Sequence, residues 1–573
     1  MSAIVILLIS AVLLGGAYLT YGKYLAKAWG VDPSRVTPAH SMNDGVDYCP
    51  AKAPVLMGHH FASIAGAGPI NGPIQASVFG WLPVLLWIIV GGIFFGAVHD
   101  FGSLLASIRH EGKSIGHVIE MNIGRTGKRL FLAFGWFTLL LVIAAFASIV
   151  QSTFVVADPT VSTANGSVAT ASMLFIVLAI AFGFLVYRRN APLGVSSIIG
   201  VILVAVCIWV GLTLPIVGVS PAFWLAFIAI YIAVACVAPV WILLQPRDYL
   251  NSFLLYAMMI LGFIGVFIAN PTMDTAAITA TTYTTTGIAA VQPAKLSTLF
   301  PVLFITVACG AISGFHSLVS SGTTSKQIDK ETDAKAIGYG GMLIECMLAV
   351  LALIAVASLG GQPTGVASGK LFAPATTFAT GISNYFGGNK VVFTLITLAV
   401  SAFALTSLDT AARMGRFLFQ EFFVDEGMDV KKLAGWRKFL VNKYVSTIIT
   451  VGLGILLAVG GYTKIWPLFG AANQLLAGLS LLAVCVWLGN IGKKNGMFYI
   501  PMAFMTVATI TSLIITFKNK LTELLGGQST DSLGAALQVI FAAILIILAV
   551  VLVIEGIKAL AKISKNKNKS AEA

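Results

Sequence analysis

Long apolar stretches alternate with short polar ones along the whole chain. Segments of about 17 to 28 residues, nearly free of charge, match the ~20 residues that a helix needs to cross roughly 30 Å of hydrocarbon. About fifteen can be drawn, at 3–21, 58–78, 82–99, 130–157, 171–187, 196–217, 221–244, 251–269, 301–321, 338–358, 388–410, 443–460, 466–489, 498–516 and 535–557. Their regular spacing predicts one all-α, polytopic membrane body in place of a string of soluble modules. Within it, a core at 1–410 holds the irregular helices, 411–515 adds more helices to the same body, and 516–573 supplies a peripheral last helix with a basic tail. Residues 372–387 are too short and polar to span and are expected as an external surface helix or re-entrant turn, while 411–442 reads as the longest basic inner loop.

Composition strengthens this picture. Hydrophobic residues make up 58% and charged residues 10%, against about 45–50% apolar and ~25% charged in soluble proteins. The apolar start, Ala3 to Leu19, has no positive charge ahead of it and Lys23 and Lys27 behind it, which reads as a retained span and not a secretory leader. With the N-terminus outside and a crossing at every segment, the outer loops hold only Lys295, Lys370, Lys390, Lys464, Lys518 and Lys520, and the rest of the 35 basic residues fall inside. That asymmetry is the positive-inside bias of a plasma membrane protein and predicts an N-out, C-in path. It also removes nucleic acid as the partner implied by a net charge of +13, because the basic residues flank spans where anionic headgroups attract them.

The segment Gly58-His59-His60-Phe61-Ala62-Ser63-Ile64-Ala65-Gly66-Ala67-Gly68-Pro69-Ile70-Asn71-Gly72-Pro73 cannot be an uninterrupted helix, with three glycines and two prolines in its last eight residues. In lipid a break is tolerated only where it is buried in protein or lines a polar cavity. Transporters build midplane sites this way, offering half-helix amides to an anion, and Pro69 and Pro73 suit the first position of such a half-helix. A second break, Gly310-Ala311-Ile312-Ser313-Gly314-Phe315-His316-Ser317, begins seven spans later, so the two segments run in opposite directions, as in an inverted repeat.

Ionisable groups inside spans are costly and mark functional paths. Glu345 lies well inside its segment, whereas Asp100, beside His99, and Asp409 lie near inner helix ends, where Arg413 is a ready partner for Asp409. Coupling-ion candidates are therefore Asp100, His316, Glu345 and Asp409. Solute-binding candidates are His60, Ser63, Gly66, Gly68, Asn71, Ser313, Gly314, His316 and Ser317, joined by the adjacent amides Asn473 and Gln474 in a later apolar span. Six scattered cysteines read as small core residues, and the three histidines His59, His60 and His316 have neither an i, i+4 pair nor a nearby Cys, so no metal or other cofactor is expected.

With these segments on the page, the chain resembles the carbon starvation protein A family. The resemblance rests on Gly58 to Ile70, Gly310 to Ser325, Ser407-Leu408-Asp409-Thr410-Ala411-Ala412-Arg413 and Trp466-Pro467-Leu468-Phe469-Gly470-Ala471-Ala472-Asn473-Gln474. It implies a bacterial inner-membrane transporter used under carbon starvation, carrying peptides or, in some members, pyruvate with a proton. It also implies two inverted five-helix repeats, of the kind found in amino acid, polyamine and organocation transporters. The expected partners are thus a carboxylate-bearing solute and a coupling ion, a proton ahead of sodium, within a lipid bilayer. The chain shows no GxSxG, HExxH, P-loop or paired Cys, which argues against an enzyme. A starvation sensor or channel with a transporter-like body is the alternative.

Overall fold

The computed structural model describes residues 1–573 except 46–47, 160–161, 190, 240–241, 275–281, 285–295, 360–373, 425–434, 460–461, 528–531 and 573. Helices dominate. Among the described residues the only named strands are β1 (Thr282–Thr284) and β2 (Leu296–Thr298), a short antiparallel ribbon.

In chain order the helices are α1 (Ala3–Leu19), α2 (Ala53–Ile64), α3 (Gly68–Ala76), α4 (Trp81–Gly91, continuing through a π turn into Ala97–Arg109), α5 (Arg125–Phe154), α6 (Ala164–Gly183), α7 (Leu193–Thr213), α8 (Pro221–Val237) and α9 (Leu244–Ala269). The second half holds α10 (Leu299–Val307), α11 (Gly314–Gly322), α12 (Gly341–Ala357), α13 (Pro374–Asn384), α14 (Lys390–Phe422), α15 (Gly435–Val441), α16 (Lys443–Ala458), α17 (Tyr462–Asn490), α18 (Tyr499–Leu525) and α19 (Ser532–Glu572). Shorter helices and turns join them, among them Tyr21–Trp29 directly after α1 and Ile115–Asn122 ahead of α5.

Among the described residues twelve helical stretches are long and apolar enough to cross a membrane, which makes this a multi-pass membrane protein. Three of the fifteen expected segments fall short individually, each for its own reason. Residues 58–78 split into α2 and α3, α8 has only 17 residues, and α16 is bent by 65° from α15. Other helices outrun their expected ends. Residue 410, read as the end of a span, lies inside α14, and α4 continues past 99 to Arg109, so neither Asp409 nor Asp100 stands at a helix end. The reason is that an 18-residue apolar window stops at the first polar residues, whereas a buried helix continues as long as its polar groups find partners. Residues 372–373 lie outside the described residues, but α13 is buried against α3, α12 and α14 and is no surface helix.

The centre and rim of the body follow from exposure. The hydrophobic part of α17 is wholly buried and most residues of α10 to α12 are too, whereas fewer than a third are buried in the apolar stretches of α1, α7, α18 and α19. On that rim apolar side chains face outward, as with Ile198 at 65% and Ile500 at 75% exposure, which is how a helix in contact with lipid differs from one in contact with water.

Loop contacts sort the helix ends into two faces. On one, the Ala3 amide bonds to the Pro271 carbonyl, the Met273 amide to that of Met1, and the Asp274 amide to that of Ala357. On the other, Val36 pairs with Lys330 and Ala51 with Ile328, and Arg109 bonds both Glu331 and the Gly30 carbonyl. The first face therefore collects the N-terminus and the ends of α9 and α12, and the second collects the segments after α1, α4 and α11.

Candidate functional site

The site begins with two helices that stop in the interior. After α2 the chain turns through Ala65, Gly66 and Ala67, with the Gly66 amide bonding the Ile64 carbonyl at 2.9 Å. Pro69 lies in the first turn of α3, where a missing amide costs nothing, but Pro73 sits inside that helix and does not start one. The second interruption runs from Val307 through a 3₁₀ turn at Ala308–Gly310 and an extended Ser313 to the start of α11.

The two breaks touch. A Cβ on Gly68 would lie 2.6 Å from the Cys309 sulfur, and one on Gly72 would lie 2.2 Å from the Val307 carbonyl oxygen. Only glycine lets the backbones of α3 and α10 approach so closely. On its other side the first break meets Ser407 of α14 and Phe146 of α5, both against Gly66.

Asn473 holds the start of α11. Its Oδ1 accepts from the Phe315 amide at 2.9 Å, and its Nδ2 donates to Ser313 Oγ at 3.1 Å. Gly314 packs against the backbone of Asn473 and Ala477, and Ser317 shares a 2.8 Å hydrogen bond with Ser480. Ser313, Gly314, Ser317 and Asn473 are thus brought together and already bonded among themselves and to α17. Ser63 is buried, its carbonyl accepting from Ser407 Oγ at 3.4 Å. His60 pairs through Nδ1 with Thr324 Oγ1 at 2.8 Å, leaving Nε2 buried without a partner. Asn71 and Gln474 differ from these. Both are fully buried, and neither polar atom of either amide has a hydrogen bond.

Three of the expected ionisable residues form one chain. His316 Nδ1 lies 2.8 Å from Asp100 Oδ2, His99 Nδ1 lies 2.7 Å from Asp100 Oδ1, and His316 Nε2 lies 3.4 Å from Glu345 Oε2. An ionised carboxylate only accepts, so both rings donate to Asp100 from Nδ1. All four residues are completely buried.

Asp409 belongs to a second cluster, and its partner is Arg247, not Arg413. Arg413 donates instead to the carbonyls of Ala235 and Ala238 at the end of α8. Arg247 pairs with Asp409 and, at 3.2 Å, with Asp248, while the Tyr231 hydroxyl donates to Asp409 at 3.0 Å. His59 Nδ1 lies 3.6 Å from the second Asp248 oxygen. Residues 244–250 look like a charged loop between apolar runs, so sequence reasoning passed over Arg247 and Asp248, and Tyr231 reads as one more aromatic of the apolar segment 221–244. The usable signal was Pro246 ahead of Arg247 and Asp248, since proline fits the first turn of a helix and so extends the following span back over the charged pair.

Comparison with known proteins places the chain. The profile of carbon starvation protein CstA matches residues 2–371 and 365–512. The peptide transporter CstA of Campylobacter jejuni is 33% identical, over 86% of this chain and 77% of its own length. The pyruvate/proton symporter BtsT of Escherichia coli is 31% identical, over 87% of this chain and 79% of its own. A solved structure of MhsT in complex with L-phenylalanine aligns at a TM-score of 0.49 and 13% identity, over 88% of this chain and 99% of that one. A profile that runs from residue 2 into the penultimate helix, together with relatives above 30% identity along most of their length, makes this protein a member of the carbon starvation protein CstA family.

Proposed function

We propose that this protein is a secondary transporter of the bacterial inner membrane that imports a small carboxylate-bearing nutrient, pyruvate or a short peptide, together with a proton when carbon is scarce. The observation that carries the reading is the pair of interrupted helices in contact, with the amides of Asn71 and Gln474 buried and unbonded beside them. Buried amides without partners are costly, and a solute carboxylate accepting from their NH₂ groups would relieve that cost. His60 Nε2 is a third group of this kind. The names of the family relatives support a transport role and the two solute classes.

Charge counting supports the coupling ion. Asp248 and Asp409 face a single arginine, Arg247, in a region closed to water. One negative charge is left over, and in a medium of low dielectric it demands a cation. A proton shared between Asp248 and His59, 3.6 Å apart, meets that demand. Rocking one group of helices against another would then expose the solute site to each side in turn. The grouping of loops on two faces agrees with alternating crossings, and the placement of the basic residues favours the N-out sense of the fifteen-segment path.

Uptake of labelled pyruvate and of labelled di- and tripeptides into proteoliposomes, under separately imposed proton and sodium gradients, tests the proposal. A proton gradient accelerates one of these solutes and the others compete weakly or not at all. Acceleration by sodium alone would overturn the proton assignment, and absence of uptake of every carboxylate tested would overturn the solute class. Asp409→Asn removes the excess charge, so its uptake should persist down a solute gradient but lose at least tenfold of its response to the proton gradient.

A further inference from the structure

We infer that Cys309 Sγ, His316 Nε2 and the Glu345 carboxylate form a binding site for one divalent transition metal of the zinc class. The three ligand atoms come from buried residues and lie within 4.8 Å of one another. Apart from their own 3.4 Å approach, neither His316 Nε2 nor either Glu345 oxygen has a hydrogen-bond partner, so these buried atoms converge without being satisfied. The separation of 3.4 Å between Nε2 and Oε2 is the edge of a tetrahedron with metal bonds of about 2.1 Å. Cys309 completes the set by closing up to roughly 1 Å, which the non-helical stretch between Ala308 and Ser313 permits.

The surroundings are those of a metal-binding histidine. His316 gives its Nδ1 proton to Asp100, which fixes the tautomer and turns the Nε2 lone pair toward Glu345 and Cys309, and Asp100 is itself held by His99. The Asn473 amide approaches the Cys309 sulfur at 3.8 Å, an orientation that favours the thiolate. Two buried carboxylates, Asp100 and Glu345, flank one imidazole here, and a divalent ion taking the place of any Nε2 proton offsets both charges at once. Sulfur and nitrogen ligands select zinc, cobalt or copper over magnesium or calcium, which take oxygen shells. Three protein ligands leave a fourth position open to water or a solute oxygen.

The sequence conceals this site because Cys309 and His316 are seven positions apart. On an unbroken helix that spacing means about 10 Å along the axis. Only the interruption folds the two side chains to one point.

The test uses the full chain, purified in detergent without an affinity tag, stripped with a chelator and titrated with Co²⁺. The expected result is one Co²⁺ per chain, displaced by Zn²⁺, with a thiolate-to-cobalt charge-transfer band in the near ultraviolet. Cys309→Ser abolishes that band. Glu345→Gln lowers affinity at least tenfold, and Asp100→Asn lowers it by about 10–100-fold while keeping the band, as a positioning residue should. Size-exclusion and circular dichroism report folding of each variant, and Glu345→Gln carries the test if Cys309→Ser does not fold. Substoichiometric binding, a cobalt complex without the thiolate band, or affinity unchanged in both ligand variants would overturn the site. Because binding is read in detergent with no solute, its failure is distinct from failure of the transport reading.

Discussion

At the scale of single residues, the contact between the two interrupted helices turns on missing side chains. A methyl group at Gly72 would meet only backbone, the Val307 carbonyl at 2.2 and 2.7 Å and the Thr306 oxygen at 2.8 Å, so nothing can swing aside. Gly72→Ala should therefore destabilise the protein by about 1–3 kcal/mol or more through overpacking, read as a lower melting temperature in detergent and a loss of uptake. Gly15→Ala is the control, since its methyl group meets nothing within 4 Å, and it should be neutral or stabilising by about 0.5–1 kcal/mol. Residue identity revealed much of this site in advance. Glycine and proline in an apolar segment are visible as breaks, and Glu345 or His316 in lipid is visible as an expense that needs a reason. What identity does not reveal is pairing. Asp409 reaches Arg247, 162 positions away, in preference to Arg413 on its own helix, because Arg413 points at the open carbonyls ending α8. Cys309 reads as core filler until the break brings it beside His316.

At the scale of elements, the segments after α1 and α11 are stitched together below the broken helices. Thr37 Oγ1 donates to the Ile328 carbonyl at 2.7 Å, the Asp32 amide donates to Glu331 at 2.9 Å, and Arg109 donates from Nε to the same carboxylate at 2.8 Å. Glu331 is wholly buried and Arg109 is 12% exposed. Removing the acid with Glu331→Ala leaves Arg109 largely buried without its counter-ion, at a cost of about 3 kcal/mol, and thermal unfolding should show it. Glu331→Gln keeps one acceptor and should cost less. These loops carry no periodicity, so the sequence announced only that they are polar and basic. The helices were legible because lipid imposes a length, and their true ends were not, because burial lets α4 and α14 run on past the apolar window.

For the molecule as a whole, the prediction concerns sidedness. If the path has fifteen crossings and starts outside, a fluorescent protein fused after residue 573 should mature and emit in the cytoplasm, while an exported phosphatase fused at the same point should be inactive. The reverse pattern would show that a crossing has been miscounted. The same two-faced arrangement gives the first helix an unexpected mechanical position. Its leading end is clasped by Pro271 and Met273, and past the helix Tyr21–Trp29 that follows it the chain is gripped at Asp32 and Thr37 by Glu331 and Ile328. A rod fastened at both extremities has a fixed reach. If α9 and α11 shift past each other, the rod must tilt with them or one of its clasps must open.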